Sequence, residues 1–344
     1  MLPFRLRPVY KNYLWGGTKL ITEWGKVPPD LLTIPASLDR EETPSPLAGE
    51  YKSLMTRGDL GGAITLAESW ELAAHKDGDN IILDGELKGL TLTEAVRLYP
   101  AIVSPKFRAG DTFPVMVKLI DAKQTLSVQV HPFTEYAMRV EHSQGKIESW
   151  YILDHEEGAY IYLGFSKNVS RSDFKQAIKE ERLPELLKKV YVHTGDMYFI
   201  PAGTIHAIGA GITLAEIQEN SNITYRVYDF GRLGPDGKPR ELHIKKALDV
   251  TNTFPLNILP PGRGGNVIVS CNKFHVERVS SPYSGRTYGQ GFRFLLCIDG
   301  ECVFMCGGMS CNIRKGENIF VPSDCMEDFR IKGYGKFLII SQAI

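Results

Sequence analysis

The stretch Gly195-Asp-Met-Tyr-Phe-Ile-Pro201-Ala-Gly203-Thr-Ile-His206 decides how the rest of the chain reads. Its apolar and aromatic run has strand character and ends in a tight Pro-x-Gly turn. Proline fixes φ and glycine permits a sharp reversal, so backbone geometry aims the imidazole of His206. Taken alone, this histidine could be a hydrogen-bonded core residue as well as a ligand. Its companions must decide.

Working upstream, Leu126-Ser-Val-Gln129-Val-His131-Pro132 alternates like a strand, with Ser127, Gln129 and His131 on one face and Val128 and Val130 on the other. Three polar groups on one strand face are costly against a dry core and make sense lining a cavity. Pro114-Val-Met-Val-Lys118-Leu-Ile embeds a lysine in an apolar strand, where it either snorkels or faces a polar cavity. Lys146-Ile-Glu148-Ser-Trp150 opens a further strand. Downstream, Asn220-Ser-Asn222-Ile-Thr-Tyr-Arg226-Val-Tyr228-Asp229 puts Asn222, Thr224, Arg226 and Tyr228 on one face. The Gly195–His206 spacing resembles the second signature of the cupins, small double-sheet β-barrels whose histidine binds a metal inside the barrel. A divalent ion needs three or four converging N/O ligands, and His131 and His206 lead, with Gln129 two residues before His131 on the same face. Two carboxylates compete. Glu135 has the usual cupin spacing but sits in a segment of helical or irregular character, whereas Glu148 heads a strand and can project from a barrel wall.

Farther out, Gly316-Glu-Asn-Ile-Phe-Val-Pro322-Ser-Asp324-Cys-Met-Glu327 aligns without gaps on the opening stretch, with Asp324 for Gly203 and Glu327 for His206. We read it as an internal repeat whose metal signature has decayed. Residues 254–265, rich in Pro and Gly, read as a linker, giving a catalytic unit over 1–253 and a second, degenerate barrel over 266–344. A long surface loop is expected at 35–65, a short helix near 90–98, and a helical insertion near 170–189 split by Pro184. The expected class is therefore mainly β, two cupin (jelly-roll) barrels with a small helical insertion. All six cysteines fall in the last quarter without a Cys-x-x-Cys pair, which favours small buried hydrophobes over a zinc or disulfide set.

The 344 residues carry zero formal charge and no polybasic run, which argues against nucleic acid or anionic membrane as partners. No long apolar segment is present at the start or elsewhere, so a cytoplasmic protein is the default expectation, as monomer or homodimer.

Four ordered motifs make a more specific likeness: Ser127-Val-Gln129-Val-His131-Pro132, Gly145-Lys146-Ile-Glu148, Pro201-Ala-Gly203-Thr-Ile-His206 and Asn220–Arg226. Together they resemble the type I phosphomannose isomerases in their shorter bacterial form, from Tyr13-Leu-Trp15-Gly-Gly17 to the second barrel. The resemblance implies one Zn2+ on Gln129, His131, Glu148 and His206, with Arg226 and Lys146 as active-site residues for a sugar phosphate. Lys118, Ser127 and Trp15 are further substrate-site candidates, each with a plain alternative: the first two satisfying neighbours, Trp15 in the core. An Arg226–Asp229 surface ion pair is the plain alternative for Arg226. The implied reaction interconverts mannose 6-phosphate and fructose 6-phosphate. An Fe(II) cupin oxygenase and a non-catalytic sugar-phosphate-binding cupin are the competing readings, and the inferred pocket cations count against the first of these.

Overall fold

The computed structural model describes residues 1–28, 64–234, 236–257 and 266–343. Nearly all of the loop expected at 35–65, and the linker beyond residue 257, lie outside the described residues. The chain is mainly β, as its alternating strands led us to expect.

Within the first 253 residues, β1 is Val9–Lys11, β2 Glu68–Leu72, β3 Val115–Ala122, β4 Val128–Val130, β5 Glu148–His155 and β6 Tyr160–Phe165. They are followed by β7 Leu187–Tyr191, β8 Met197–Ile200, β9 His206–Ile208, β10 Ile212–Glu219 and β11 Tyr225–Tyr228. These strands form a six-stranded sheet, β8-β5-β10-β3-β2-β1, and a five-stranded sheet, β7-β6-β9-β4-β11. Adjacent strands are antiparallel. The sheets meet through one apolar cluster that draws Ile120, Ile152 and Leu214 from the first and Ile161, Leu163 and Ile208 from the second.

The other face of the six-stranded sheet is also covered. Val117, Leu119 and Ile217 pack in one cluster with Phe274, Phe292, Phe294 and Phe320 of the C-terminal part. Every residue of β3 and β10 is consequently buried. A strand covered on both sides has no wet face for polar residues, so Lys118 and Glu216 must meet a cavity or each other.

Residues 266–343 build a seven-stranded sheet around two long paired strands, Arg293–Cys306 and Phe329–Gln342. The two stretches aligned in the sequence share a local backbone feature. Gly195 and Gly316 share a left-handed φ, 90° and 89°, and each leads into a four-residue strand, Met197–Ile200 and Asn318–Val321. Beyond that the copies part: Glu327 is exposed, and the second interior is filled by Phe304, Phe329, Phe337 and four cysteines. All six cysteines are free, as their lack of pairing motifs suggested. The N-terminus is tied to this unit, since Phe4 and Phe320 exchange backbone hydrogen bonds of 3.0 and 2.8 Å.

The helical insertion is shorter than expected. A helix spans Arg171–Lys179, capped by Ser170 and buried through Phe174, Ala177 and Ile178. Glu181 then turns left-handed at φ 56°, and Leu183–Leu186 makes a single 3-10 turn with Pro184 as its second residue. The rest of the expected helix, from Leu187, is instead strand β7 paired with β6. Proline supplies no N–H to continue a helix, and the neighbouring strand offers the ladder that does satisfy this backbone. No helix among the described residues is long and apolar enough to cross a membrane.

Candidate active site

The site grows from the register of the two sheets. In the six-stranded sheet Gln218 lies opposite Glu148, and Glu216 lies opposite both Lys118 and Trp150. In the five-stranded sheet His206 lies opposite Gln129. His131 follows β4 directly, and its carbonyl accepts the N–H of Gly203 at 2.8 Å, which ties the Pro-x-Gly turn to the other histidine. Gly203 holds φ 80°, and a Cβ there would lie 2.9 Å from the Val250 carbonyl oxygen. We expect Gly203→Ala to lower stability by about 1–2 kcal/mol through the left-handed conformation alone. Thermal melting with and without added zinc checks this, and a variant melting like the wild type would show that the turn relaxes at no cost.

His131, Glu148 and His206 converge with at least one side-chain donor atom each within 4.8 Å of one another. His131 Nε2 stands 3.2 Å from Glu148 Oε2, and His206 Nε2 3.3 Å from Glu148 Oε1. Both imidazoles are turned the same way. Nδ1–H of His131 donates to the Ile223 carbonyl at 2.8 Å and that of His206 to the Thr204 carbonyl at 2.9 Å. That tautomer leaves each Nε2 lone pair facing the carboxylate. Burial, then the Lys146 charge, pushes the His131 pKa down to about 3, and burial lowers that of His206. Burial works against ionisation of Glu148, but the Lys146 charge leads the contributions that outweigh it and hold its pKa well below the usual range. The Lys146 ammonium is 2.9 Å from Glu148 Oε2. His131 Nε2 and both Glu148 oxygens nevertheless lack an aligned hydrogen-bond partner.

Buried, unsatisfied acceptors aimed at one point are expensive unless something cationic joins them. Two neutral imidazoles and one carboxylate are the donor set of a zinc-type site. Gln129 is beside them, but its amide N–H faces His206 Nε2 at 3.4 Å, so an oxygen ligand requires the amide to turn over. Glu135 lies exposed on the helix Thr134–Glu141, away from this cluster.

A cleft of about 300 Å³ opens beside the cluster, and Trp15, Lys118, Ser127, Gln129, Lys146 and Arg226 all line it. Lys118 is paired with Glu68 and Glu216, each at 3.5 Å; burial opposes its charge, yet these carboxylates raise its pKa. Lys146 also reaches Glu216 at 3.6 Å. Arg226 is different. Its Nε donates to Ser127 Oγ at 3.3 Å and Nη1 to the Glu241 carbonyl at 3.0 Å, and among the described residues no carboxylate pairs with it. The Arg226–Asp229 ion pair is not formed, because Asp229 is engaged by Arg232 and Arg240.

The family model for phosphomannose isomerase type I, catalytic domain, matches residues 55–162. The mannose-6-phosphate isomerase ManA of Bacillus subtilis is 31% identical over 98% of both chains. The chain belongs to the type I phosphomannose isomerase family. The crystal structure of the mannose 6-phosphate isomerase from Bacillus subtilis superposes with a TM-score of 0.80 at 28% identity, covering 99% of each chain. A mannose 6-phosphate isomerase whose crystal structure is bound with zinc and yttrium shares the fold, with a TM-score of 0.69 at 16% identity over 100% of both chains.

Within this family member, sequence reasoning missed Glu68 and Arg240 as cleft residues. Glu68 offered a signal, because it alternates with Trp70 in a strand, and a buried lysine elsewhere demands carboxylate partners. Arg240 offered none, since it lies in an irregular segment where side-chain direction follows no period.

Proposed function

We propose that the chain is a zinc-dependent aldose–ketose isomerase that interconverts D-mannose 6-phosphate and D-fructose 6-phosphate through an enediolate. One observation carries the reading: His131, Glu148 and His206 converge beneath a cation-lined cleft, and His131 Nε2 and both Glu148 oxygens have no hydrogen-bond partner. His131, Glu148 and His206 would hold the ion, with the Gln129 oxygen as fourth ligand. With one carboxylate among neutral ligands, such an ion keeps net charge near +1 and supplies Lewis-acid stabilisation at the sugar C1 and C2 oxygens. The zinc of the fold relative supports that choice of metal.

The protein's own residues have distinct tasks in this reading. Arg226, without a carboxylate partner, binds the phosphate through charge-assisted hydrogen bonds. Lys146 opposes the negative charge that develops on the substrate oxygens. The proton moved between C1 and C2 needs an acceptor in the cleft, and the cleft's carboxyl groups are Glu68 and Glu216. Trp150 Nε1 fixes Glu216 Oε2 at 3.2 Å, and burial raises the Glu216 pKa against the pull of Lys146 and Lys118. We assign the transfer to Glu216.

Purified protein should convert mannose 6-phosphate, lose activity on chelation and regain it with zinc. No turnover by the fully metallated protein would sink the reading. Iron-dependent oxygen uptake would then point to an oxygenase, and sugar-phosphate binding without turnover to a non-catalytic binding protein.

A further inference from the structure

We infer that Arg240 is a second phosphate-binding group of the cleft, presented edge-on by a clamp on Asp229; the inference rests on the sugar-phosphate reading above. Asp229 follows β11 and is buried. Arg240 donates to it through Nε at 2.7 Å and Nη2 at 2.6 Å, a two-point fork. Arg232 takes the same carboxylate through Nη2 at 2.7 Å and the Asp229 carbonyl through Nε at 3.3 Å. One carboxylate thus serves two guanidiniums, and the cluster keeps one positive charge in surplus.

The fork consumes the Nε/Nη2 edge of Arg240. Among the described residues its Nη1 has no hydrogen-bond partner, while Arg240 lines the same cleft as Arg226, Gln129 and Lys146. Arg232 does not line that cleft. The Arg226 guanidinium, itself without a carboxylate, feels Arg240: burial first and the Arg240 charge next lower its pKa. Two guanidiniums with surplus charge facing one small cleft repel each other unless an anion joins them. A phosphate dianion carries that charge, and its oxygens match the planar donor pairs of arginine. A neutral sugar would leave the repulsion standing. Asp229 is a positioning residue here, because it fixes the plane in which Arg240 meets the ligand.

The test compares Arg240→Ala, Arg240→Lys and Arg232→Ala in the zinc-loaded protein. It uses KM and kcat for mannose 6-phosphate, and calorimetric Kd for inorganic phosphate. Losing charge-assisted hydrogen bonds should raise KM and the phosphate Kd about tenfold or more in Arg240→Ala, with kcat within about threefold. Arg232→Ala, which removes the other guanidinium on Asp229 and leaves the Arg240 fork in place, should leave both within about twofold. Values for Arg240→Ala within about twofold of wild type would overturn the proposal. So would an equal rise in Arg232→Ala, which would reduce Arg240 to a structural tie. If Arg240→Ala does not fold, Arg240→Lys decides, since it keeps the charge without the fork: an unchanged phosphate Kd would count against the assignment. A wild type that binds phosphate through Arg240 but turns nothing over would instead sink the isomerase reading and leave this anion site standing.

Discussion

Glu148→Gln is expected to yield a folded protein that retains no divalent ion and whose kcat/KM falls by about 10³, the weight of several kcal/mol of metal-ion stabilisation. The change conserves volume, so packing around this fully buried side chain is little disturbed. What it removes is the charge. His131 and His206 are neutral, their pKa values lowered chiefly by burial, so Glu148 is the only anion in the donor set. The Lys146 ammonium, 2.9 Å away, is neutralised by Glu148 in the native protein and would repel a cation once that carboxylate is gone. Elemental analysis of the purified variant, beside its melting curve, checks this. Stoichiometric zinc with activity within about tenfold of wild type would show that the Glu148 carboxylate is not what holds the ion.

Arg226→Ala is expected to raise KM for the sugar phosphate about 10- to 100-fold, the worth of one or two charge-assisted hydrogen bonds. Its contacts on the protein are a serine hydroxyl at 3.3 Å and a backbone carbonyl at 3.0 Å, both accessory for an arginine. Since no carboxylate is stranded by its loss, stability should change by less than about 1 kcal/mol. Arg226→Lys should recover part of the binding, because charge survives and the fork does not. Kinetics in parallel with inhibition by inorganic phosphate separate a lost phosphate contact, which moves both, from a displaced strand, which would also lower kcat. An unchanged KM would remove Arg226 from the substrate site.

What could be read in the sequence was whatever follows a period or a fixed turn. Ser127, Gln129 and His131 fall two apart, so a strand brings their side chains to one face, and Gly203 and Pro201 determine how His206 leaves its turn. The choice of Glu148 over Glu135 came from the same reasoning, and the structure puts the first in the cluster and the second on an exposed helix face. Arg240 escaped because its placement depends on Asp229, eleven residues back, through a side-chain pair that no periodicity encodes. The strand at Leu187–Tyr191 was hidden for a different reason. Leu183, Leu186 and Leu187 fit a helical stripe, and only a tertiary partner, β6, shows that the backbone is extended there. The orientation of the Gln129 amide likewise depends on an atom-level choice that residue identity leaves open.

The C-terminal unit packs against the sheet that carries the candidate site. Its interior is filled with phenylalanine and cysteine, and its outer face presses on the back of the sheet that carries Lys118, Glu148 and Glu216. Mutation can drift through that filled interior as long as its volume is kept. The pressing face has no such freedom, because Phe292, Phe294 and Phe320 are what the six-stranded sheet leans on. The C-terminal unit acts as a buttress for that sheet. Changes there would be felt as slackness between donors in the other unit, far from any residue that meets the substrate.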